Sequence, residues 1–200
     1  MYAGVVSGVY KGVQHLSEPS DGLFRMVIGS GTWEQVLPDI TGLDVPYSPS
    51  DIEIGADGRM FIGTMPNVEG EGGATILYSD NALPGTWIVN EYYKIQIENT
   101  PGFDLPGRVI LAAAPSDANR VYALVAQGYF YGLPGYECHI IARSDDKGDN
   151  WQTVNIPPAG ANGNWAYIAW HALTAAVDPN NPDKVYIGGL DLWRSDYGAL

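Results

Sequence analysis

Two segments of the sequence repeat the same order of strand, turn and strand. Residues 112–124 read AAAPSDANRVYAL and residues 175–188 read AAVDPNNPDKVYIG, and their prolines, Pro115 and Pro179, lie 64 positions apart. In both segments alternating apolar residues flank a turn rich in Pro, Asn and Asp, which is typical of a β-hairpin. A weaker copy, SDIEIGADGRMFIGT, occupies residues 50–64. The repeat limits the chain to folds that are built from a recurring antiparallel unit.

A second hairpin follows each copy of the first. It is clearest in HIIARSDDKGDNWQTVNI, and TILYSDNALPGTWIV and GLFRMVIGSGTWEQV are degenerate copies. Their tryptophans, Trp33, Trp87 and Trp151, lie 54 and 64 positions apart. A period in this range, with four strands in each unit, predicts the blades of a propeller. A helical solenoid is excluded, because no segment holds a 3.6-residue apolar stripe for three turns.

The acidic turn SDDKGDNW matches the pattern Ser-x-Asp-x-Gly-x-x-Trp at Ser144, Asp146, Gly148 and Trp151. The Ser and Asp side chains can accept backbone N–H bonds within the turn, the glycine can adopt positive φ, and the tryptophan can pack beneath it. A catalytic cluster has no reason to recur once in every blade, whereas a structural turn does. The spacing also differs from that of a calcium-binding EF-hand loop. We therefore predict that the motif is part of the scaffold.

These motifs resemble those of the Asp-box (BNR/sialidase-like) β-propellers, which include sialidases, xyloglucan hydrolases and sortilin-type receptor domains. The segment HALTAAVDPNNPDKVYIGGLDLWRS is most similar to the sortilin-like propeller domains of secreted bacterial proteins. The resemblance implies an all-β propeller fold and a protein that is secreted or held at the cell surface.

The ends of the sequence fall inside predicted blades. MYAG at residues 1–4 matches VYIG at residues 185–188, in the second strand of the repeat, and LWRSDYGAL enters a box-like turn with no tryptophan after it. We therefore expect a fragment, truncated at both ends, whose signal peptide is missing and whose partner is the remainder of its own propeller. It is predicted to hold about three and a half four-stranded antiparallel blades, at residues 1–40, 41–97, 105–157 and 168–200.

Composition excludes several other functions. The net charge of −13 argues against a nucleic-acid partner, which would favour a basic face. No apolar run of 18 residues occurs, so no membrane span is predicted. The single cysteine, Cys138, lies in an alternating pattern that favours a buried thiol. The histidines, His15, His139 and His171, lack the spacing of zinc ligands, and we expect neither a metal nor a cofactor.

Successive turns of an antiparallel blade alternate between its two ends. The long, irregular connections, about 5–22, 65–75, 92–107, 125–137 and 157–169, are therefore expected to share one end, opposite the acidic turn. Aromatic faces stack on the apolar faces of sugar rings, and binding residues concentrate on such loops. We predict a site for a glycan or an extracellular protein; an alternative is that Trp170 and half of the tyrosines pack between blades. The predicted ligand-binding residues are Tyr129, Phe130, Tyr131, Tyr136 and Trp165.

A glycoside hydrolase remains an alternative function. Hydrolysis would need two carboxylates about 5–5.5 Å or 6.5–9.5 Å apart, and Asp104 and Glu137 are the candidates because both are expected at the loop end. Neither residue lies in a motif that matches a catalytic position of the family. A sialidase is disfavoured, because no arginine triad can be assigned among the six arginines.

Overall fold

In the part of the chain that the structure describes, nearly all regular elements are β-strands, which form four antiparallel sheets and one separate hairpin beside one short helix. The computed structural model describes residues 1–10, 13–15, 20–131, 133–158 and 164–199. Two of the sheets have four strands and two have three. This arrangement confirms the predicted fold class of antiparallel blades.

The first sheet has the order β1–β4–β5 and is accompanied by the hairpin β2–β3. The second and third sheets run in sequence order, β6–β7–β8–β9 and β10–β11–β12–β13, and the fourth is β14–β15–β16. The strands are β1 (Tyr2–Val5), β2 (Gly8–Tyr10), β3 (Val13–His15), β4 (Gly22–Arg25), β5 (Glu34–Gln35), β6 (Ser48–Ile54), β7 (Met60–Met65), β8 (Ile76–Ser79), β9 (Ile88–Asn90), β10 (Leu105–Ala113), β11 (Val121–Tyr131), β12 (Leu133–Ser144), β13 (Gln152–Val154), β14 (Thr174–Asp178), β15 (Asn181–Gly188) and β16 (Leu192–Ser195), and the helix is α1 (Tyr92–Glu98).

The apolar core lies between neighbouring sheets, because the side chains of a strand alternate between its two faces. In β11, Tyr122 and Leu124 pack toward the fourth sheet, in a cluster with Val185 and Ile187. The alternate residues of β11 pack toward the second sheet, in a cluster that contains Phe61. A third cluster joins the first and second sheets. Each inner sheet is therefore buried on both faces.

The first strands of the second and third sheets lie side by side and are joined by side chains. Ser50 Oγ donates to the Val109 carbonyl oxygen at 2.6 Å, and Asp51 Oδ2 accepts from the Leu111 N–H at 2.8 Å. These short polar side chains on β6 thus satisfy backbone groups on the free edge of β10, which would otherwise lack partners.

Arginines join the sheets at the end that carries the acidic turns. Arg59 donates to Asp80 of its own sheet at 2.7 Å and to Asp149 of the third sheet at 3.1 Å. Arg120, at the same position before the second strand of the next sheet, donates to Asp183 of the fourth sheet at 2.6 Å. An arginine at this position therefore contacts an aspartate of the following sheet in both cases.

Two of the predicted irregular connections are ordered elements. Residues 92–107 begin with the helix α1, which the three-turn criterion missed because only Tyr93 and Ile97, one turn apart, face the core. Residues 125–137, predicted as a loop, instead extend β11 and β12 into a long ribbon. That prediction was wrong because the two segments pair in antiparallel register along the ribbon, with Gln127 opposite Glu137 and Tyr129 opposite Gly135.

Candidate functional site

The ribbon of β11 and β12 carries a polar cluster at the end of the third sheet that lies opposite the acidic turn. Its register shifts by one residue, since Val125 lies opposite Ile140 and Ala126 lies opposite Cys138. His139 is the extra residue of this β-bulge, and bulges turn the side chains that follow them. Beyond the bulge Glu137 therefore lies opposite Gln127, on the face of the ribbon that also carries Tyr129.

We call the cluster on this face the Glu137 site; it consists of Phe103, Tyr129, Glu137, His139 and Asn164. Glu137 Oε2 lies 2.7 Å from Nε2 of His139. Asn164 Nδ2 lies 3.3 Å from Nδ1 and 3.4 Å from Nε2 of the same ring, and its Oδ1 accepts from the Ala166 N–H at 2.7 Å. The amide therefore presents its N–H groups to the imidazole, whose Nε2 also meets the carboxylate.

Two aromatic rings lie next to one another beside the imidazole. The ring of Phe103 meets those of His139 and Tyr129 edge to face, with centroids 4.8 Å and 5.3 Å apart. Tyr129 in turn lies against Gly135, where any side chain would collide with its ring. The side chains of Glu137 and His139 keep 18% and 32% of their surface exposed. A partly shielded carboxylate beside aromatic faces can accept a hydroxyl group of a sugar while a ring stacks on its C–H face.

A second cleft lies on the opposite face of the ribbon, and we call it the Trp170 cleft. The Trp170 ring is 42% exposed, so it does not pack between blades as the alternative interpretation held. Arg108 donates to the carbonyl oxygens of Trp170 at 3.2 Å and Leu173 at 2.9 Å. Its burial lowers the pKa of the guanidinium. The cleft is lined by Met65, Pro66, Gly107, Arg108, Tyr136 and Trp170.

The five predicted ligand-binding residues do not converge on one surface. Tyr129 belongs to the Glu137 site and Tyr136 lines the Trp170 cleft on the other face. The side chains of Phe130 and Tyr131 lie outside the part of the chain that the structure describes, although the backbone of both is paired in the ribbon.

The prediction that Trp165 stacks on a ligand was wrong. Its side chain is 2% exposed, and its Nε1–H donates to the Cys138 carbonyl oxygen at 2.9 Å. Both the ring and its polar atom are therefore engaged within the protein, in the core between the third and fourth sheets. Cys138 itself is fully buried, which raises the pKa of its thiol to about 12.

The two candidate catalytic carboxylates differ in environment. Glu137 is hydrogen-bonded to His139, which touches Phe103. Asp104 follows Phe103 directly and is exposed. Sequence reasoning named both carboxylates and missed His139 and Asn164 as their neighbours. The signal for His139 in the sequence was its position only two residues from Glu137.

The turn at residues 144–151 lies at the other end of β12, seven residues or roughly 23 Å from Glu137. Ser144 Oγ accepts from the Gly148 N–H at 2.8 Å, and Asp146 Oδ1 accepts from the Asn150 N–H at 2.8 Å. Gly148 has a φ of +86°, and Trp151 Nε1 donates to its carbonyl oxygen at 2.9 Å. All of these contacts are internal to the turn.

Within the described ranges, no group of three or more His, Cys, Asp and Glu side chains could hold a metal ion. The short helix α1 is the longest helix in that part of the chain, and none found there is long and apolar enough to cross a membrane.

Comparisons with known proteins place the fold. No known family profile matches the sequence. A xyloglucanase of Paenibacillus sp is 31% identical over 175 residues, which are 82% of this chain and 16% of that protein. The GH74 enzyme of Niastella koreensis superposes with a TM-score of 0.57 at 18% identity, over 100% of this chain and 29% of that one. YCF48 of Cyanidioschyzon merolae superposes with a TM-score of 0.50 at 13% identity, over 79% of this chain and 39% of that one.

The chain thus spans about a sixth of the length of the curated relative that it matches. The solved structures that it resembles are β-propellers. At sequence identities of 18% and 13%, this similarity indicates a shared fold. Together with the four sheets described above, it shows that this chain has the blade architecture of a β-propeller fold.

Proposed function

We propose that the end of the propeller that carries the Glu137 site binds a polysaccharide chain of the β-glucan class. The observation that supports this most is the hydrogen-bonded pair of Glu137 and His139, whose imidazole meets the ring of Phe103, which in turn meets Tyr129. Sugars are recognised by this combination, because their hydroxyl groups donate to carboxylates and their C–H faces lie on rings. The similarity to a xyloglucanase favours a glucan over other glycans.

The Trp170 cleft is the second surface that such a chain would use. Trp170 and Tyr136 both present aromatic surface there, next to the carbonyl-bound guanidinium of Arg108. A polysaccharide is long enough to cross the tip of the ribbon and contact both faces. We therefore propose that affinity depends on both clusters and rises with the length of the oligosaccharide.

Hydrolysis of the bound glucan is the second candidate function, and the identity with the xyloglucanase favours it. Glu137 would serve as the general acid, donating the proton of its carboxylic acid form to the leaving oxygen and becoming the carboxylate. Asp104 is the second candidate carboxylate of this chain. A module that binds without turnover is the alternative, as is one that binds an extracellular protein.

Three further proposals follow from the resemblance. We propose that the turn of Ser144, Asp146, Gly148 and Trp151 is an Asp-box with a structural role, supported by its internal hydrogen bonds.

We propose that the protein acts outside the cell, where polysaccharides of this class occur. We also propose that blades near residues 1–40, 41–97, 105–157 and 168–200 pack with the remainder of the same propeller.

Calorimetric titration with xyloglucan and cello-oligosaccharides of increasing length tests the main proposal. Tyr129→Ala should lower the affinity about 2- to 12-fold, which corresponds to about 0.5–1.5 kcal/mol for a stacking ring. Tyr197→Ala is the matched control, because Tyr197 is 78% exposed and lies on the fourth sheet's turn. An intact chain that binds none of these glucans, or that binds equally with Ala in place of Tyr129, contradicts the proposal.

Release of reducing ends from xyloglucan separates the two candidate functions. Glu137→Gln should abolish turnover and leave most of the binding if the protein is a hydrolase. Binding by the wild-type protein without any release of reducing ends would instead assign a binding role.

A further inference from the structure

Two Gly-Tyr dipeptides face each other across the ribbon. Gly128-Tyr129 lies in β11 and Gly135-Tyr136 lies in β12. In the antiparallel register Gly128 lies opposite Tyr136, and Tyr129 lies opposite Gly135. Neighbouring residues of a strand point to opposite faces of the sheet, so these two pairs lie on opposite faces of the ribbon. Each face therefore carries one tyrosine opposite one glycine.

Each tyrosine ring occupies the space that a side chain on the opposite glycine would need. A Cβ on Gly135 would lie 2.7 Å from Cζ and 2.8 Å from Oη of Tyr129. A Cβ on Gly128 would lie 2.6 Å from Cε1 and 2.8 Å from Cδ1 of Tyr136. Non-bonded carbon atoms prefer separations of about 3.5–4.0 Å, so an alanine at either position would displace the ring. Neither glycine has a positive φ, and it is therefore the ring, not the backbone conformation, that requires a glycine.

Tyr136 also reaches a third strand. A Cβ on Gly107, in β10, would lie 2.8 Å from Cδ1 of Tyr136. Gly107 belongs to the bulge between Pro106 and Val109 in the pairing of β10 with β11. The ring thus extends from β12 over β11 to β10, and it lines the Trp170 cleft there. Two glycines on neighbouring strands let this ring lie against the sheet.

Tyr129 is placed in the same way at the Glu137 site. Its ring lies against Gly135 on one side and meets Phe103 edge to face, with centroids 5.3 Å apart. Tyr129 and Tyr136 both remain partly exposed. A side chain that is already fixed against the backbone loses little rotamer freedom when a ligand stacks on it, and such preorganisation raises affinity.

We propose that Gly128 and Gly135 are positioning residues for polysaccharide binding. Each leaves room for the tyrosine of the opposite strand, and together they fix one stacking ring on each face of the ribbon. This inference rests on the proposed function, and it explains how one pair of strands equips both the Glu137 site and the Trp170 cleft. The alternative is that the rings cover the glycines only to stabilise the strands.

A double-mutant cycle in titration calorimetry with a xyloglucan oligosaccharide tests the proposal. Gly135→Ala should lower the affinity about 2- to 12-fold, the range expected for Tyr129→Ala, because the ring cannot keep its place. In the Tyr129→Ala background the same change should have no effect, since no ring is left to displace. Gly8→Ala is the matched control, because a Cβ there would meet no atom within 4 Å.

Gly128→Ala and Tyr136→Ala repeat the cycle on the other face of the ribbon, so the test does not depend on the folding of one variant. NMR of the wild-type chain with ¹³C-labelled tyrosine rings adds a spectroscopic signature. The resonances of Tyr129 and Tyr136, identified by their loss in the two alanine variants, should both shift when the oligosaccharide is added.

The outcomes separate this inference from the proposed function. If the tyrosine variants weaken binding and the glycine variants do not, the glycines are not positioning residues, although the chain binds glucan. The same conclusion follows if Gly135→Ala lowers the affinity equally with and without Tyr129, or if either tyrosine resonance ignores the ligand. A folded wild-type chain that binds no glucan contradicts the proposed function and this inference together.

Discussion

Arg120 and Asp183 are joined by a hydrogen bond of 2.6 Å that links the third sheet to the fourth. The same guanidinium also binds Asp145 of its own sheet at 2.5 Å, so one side chain holds two turns together. One sheet earlier, Arg59 likewise contacts an aspartate of its own sheet, Asp80, and an aspartate of the next sheet, Asp149. Because its side chain is only 14% exposed, Arg120 is shielded more than a typical surface ion pair.

Replacing Arg120 with alanine should lower the free energy of unfolding by about 1.5–3 kcal/mol, the range for hydrogen bonds to charged groups. Arg194→Ala is the control, because Arg194 pairs with Asp196 while 57% exposed, and it should cost less than about 1 kcal/mol. Urea unfolding of the two variants measures the difference. Equal costs would mean that the link between the sheets contributes no more than an ordinary surface pair.

Asp146→Ala should destabilise the chain by about 1–3 kcal/mol, since Asp146 accepts bonds from Ser144 and Asn150 within the acidic turn. Asp146→Asn keeps one acceptor oxygen and should cost less. Glucan affinity should not change in either variant, because the turn lies at the far end of β12. A variant with normal stability and weakened glucan binding would contradict the structural role.

Glu53 should make the stability of the chain depend on pH. Burial, with a smaller contribution from the Asp51 carboxylate, raises its pKa from an ordinary value of 4.5 to about 7. The folded state then holds the proton more tightly than the unfolded chain, so the free energy of unfolding falls as the pH rises from about 4.5 to about 7.

Glu53→Gln removes this dependence, because the amide never ionises. The variant should be more stable than the wild type at pH 8 and equal to it near pH 4.5, as measured by urea unfolding at both values. Glu98→Gln, at an exposed position on α1, should show no such divergence. A wild type that is the more stable protein at pH 8 would show that ionised Glu53 is stabilised by contacts rather than penalised by burial.

Trp165→Phe should lower the free energy of unfolding by about 1–3 kcal/mol, because it leaves the Cys138 carbonyl oxygen without its indole donor. Trp170→Phe, at a ring that is 42% exposed, should change stability by less than about 0.5 kcal/mol. Melting curves and glucan titrations of both variants separate a structural tryptophan from a binding one. If a stable Trp165→Phe variant bound glucan more weakly, Trp165 would be shown to contribute to the binding surface.

The blade architecture was predictable because it depends on local patterns that recur. The turns around Pro115 and Pro179 and the strands beside them follow from alternation and turn chemistry, and the structure has β10 and β11, and β14 and β15, at those places. The helix α1 escaped notice because Tyr93 and Ile97 are too few to form a periodic signal in the sequence.

The candidate site was less predictable because its geometry depends on contacts between distant segments. Phe103, His139 and Asn164 lie on three different elements, and only the folded ribbon brings them together. Trp165 was misassigned since a glycine- and asparagine-rich neighbourhood suggests an exposed loop, whereas the turn that carries it hydrogen-bonds to β12 and is buried.

Because the bulge at His139 is one extra residue, the presence or absence of a single codon decides on which face of the ribbon Glu137 lies. Ile140 packs toward the second sheet and Cys138, two residues earlier, toward the fourth, so the extra residue reverses the alternation of everything before it in β12. Deletion of that codon would exchange the faces of Tyr136 and Glu137, moving the acid into the Trp170 cleft. Related genes that differ by this one insertion would therefore present different ligand chemistry on the same scaffold.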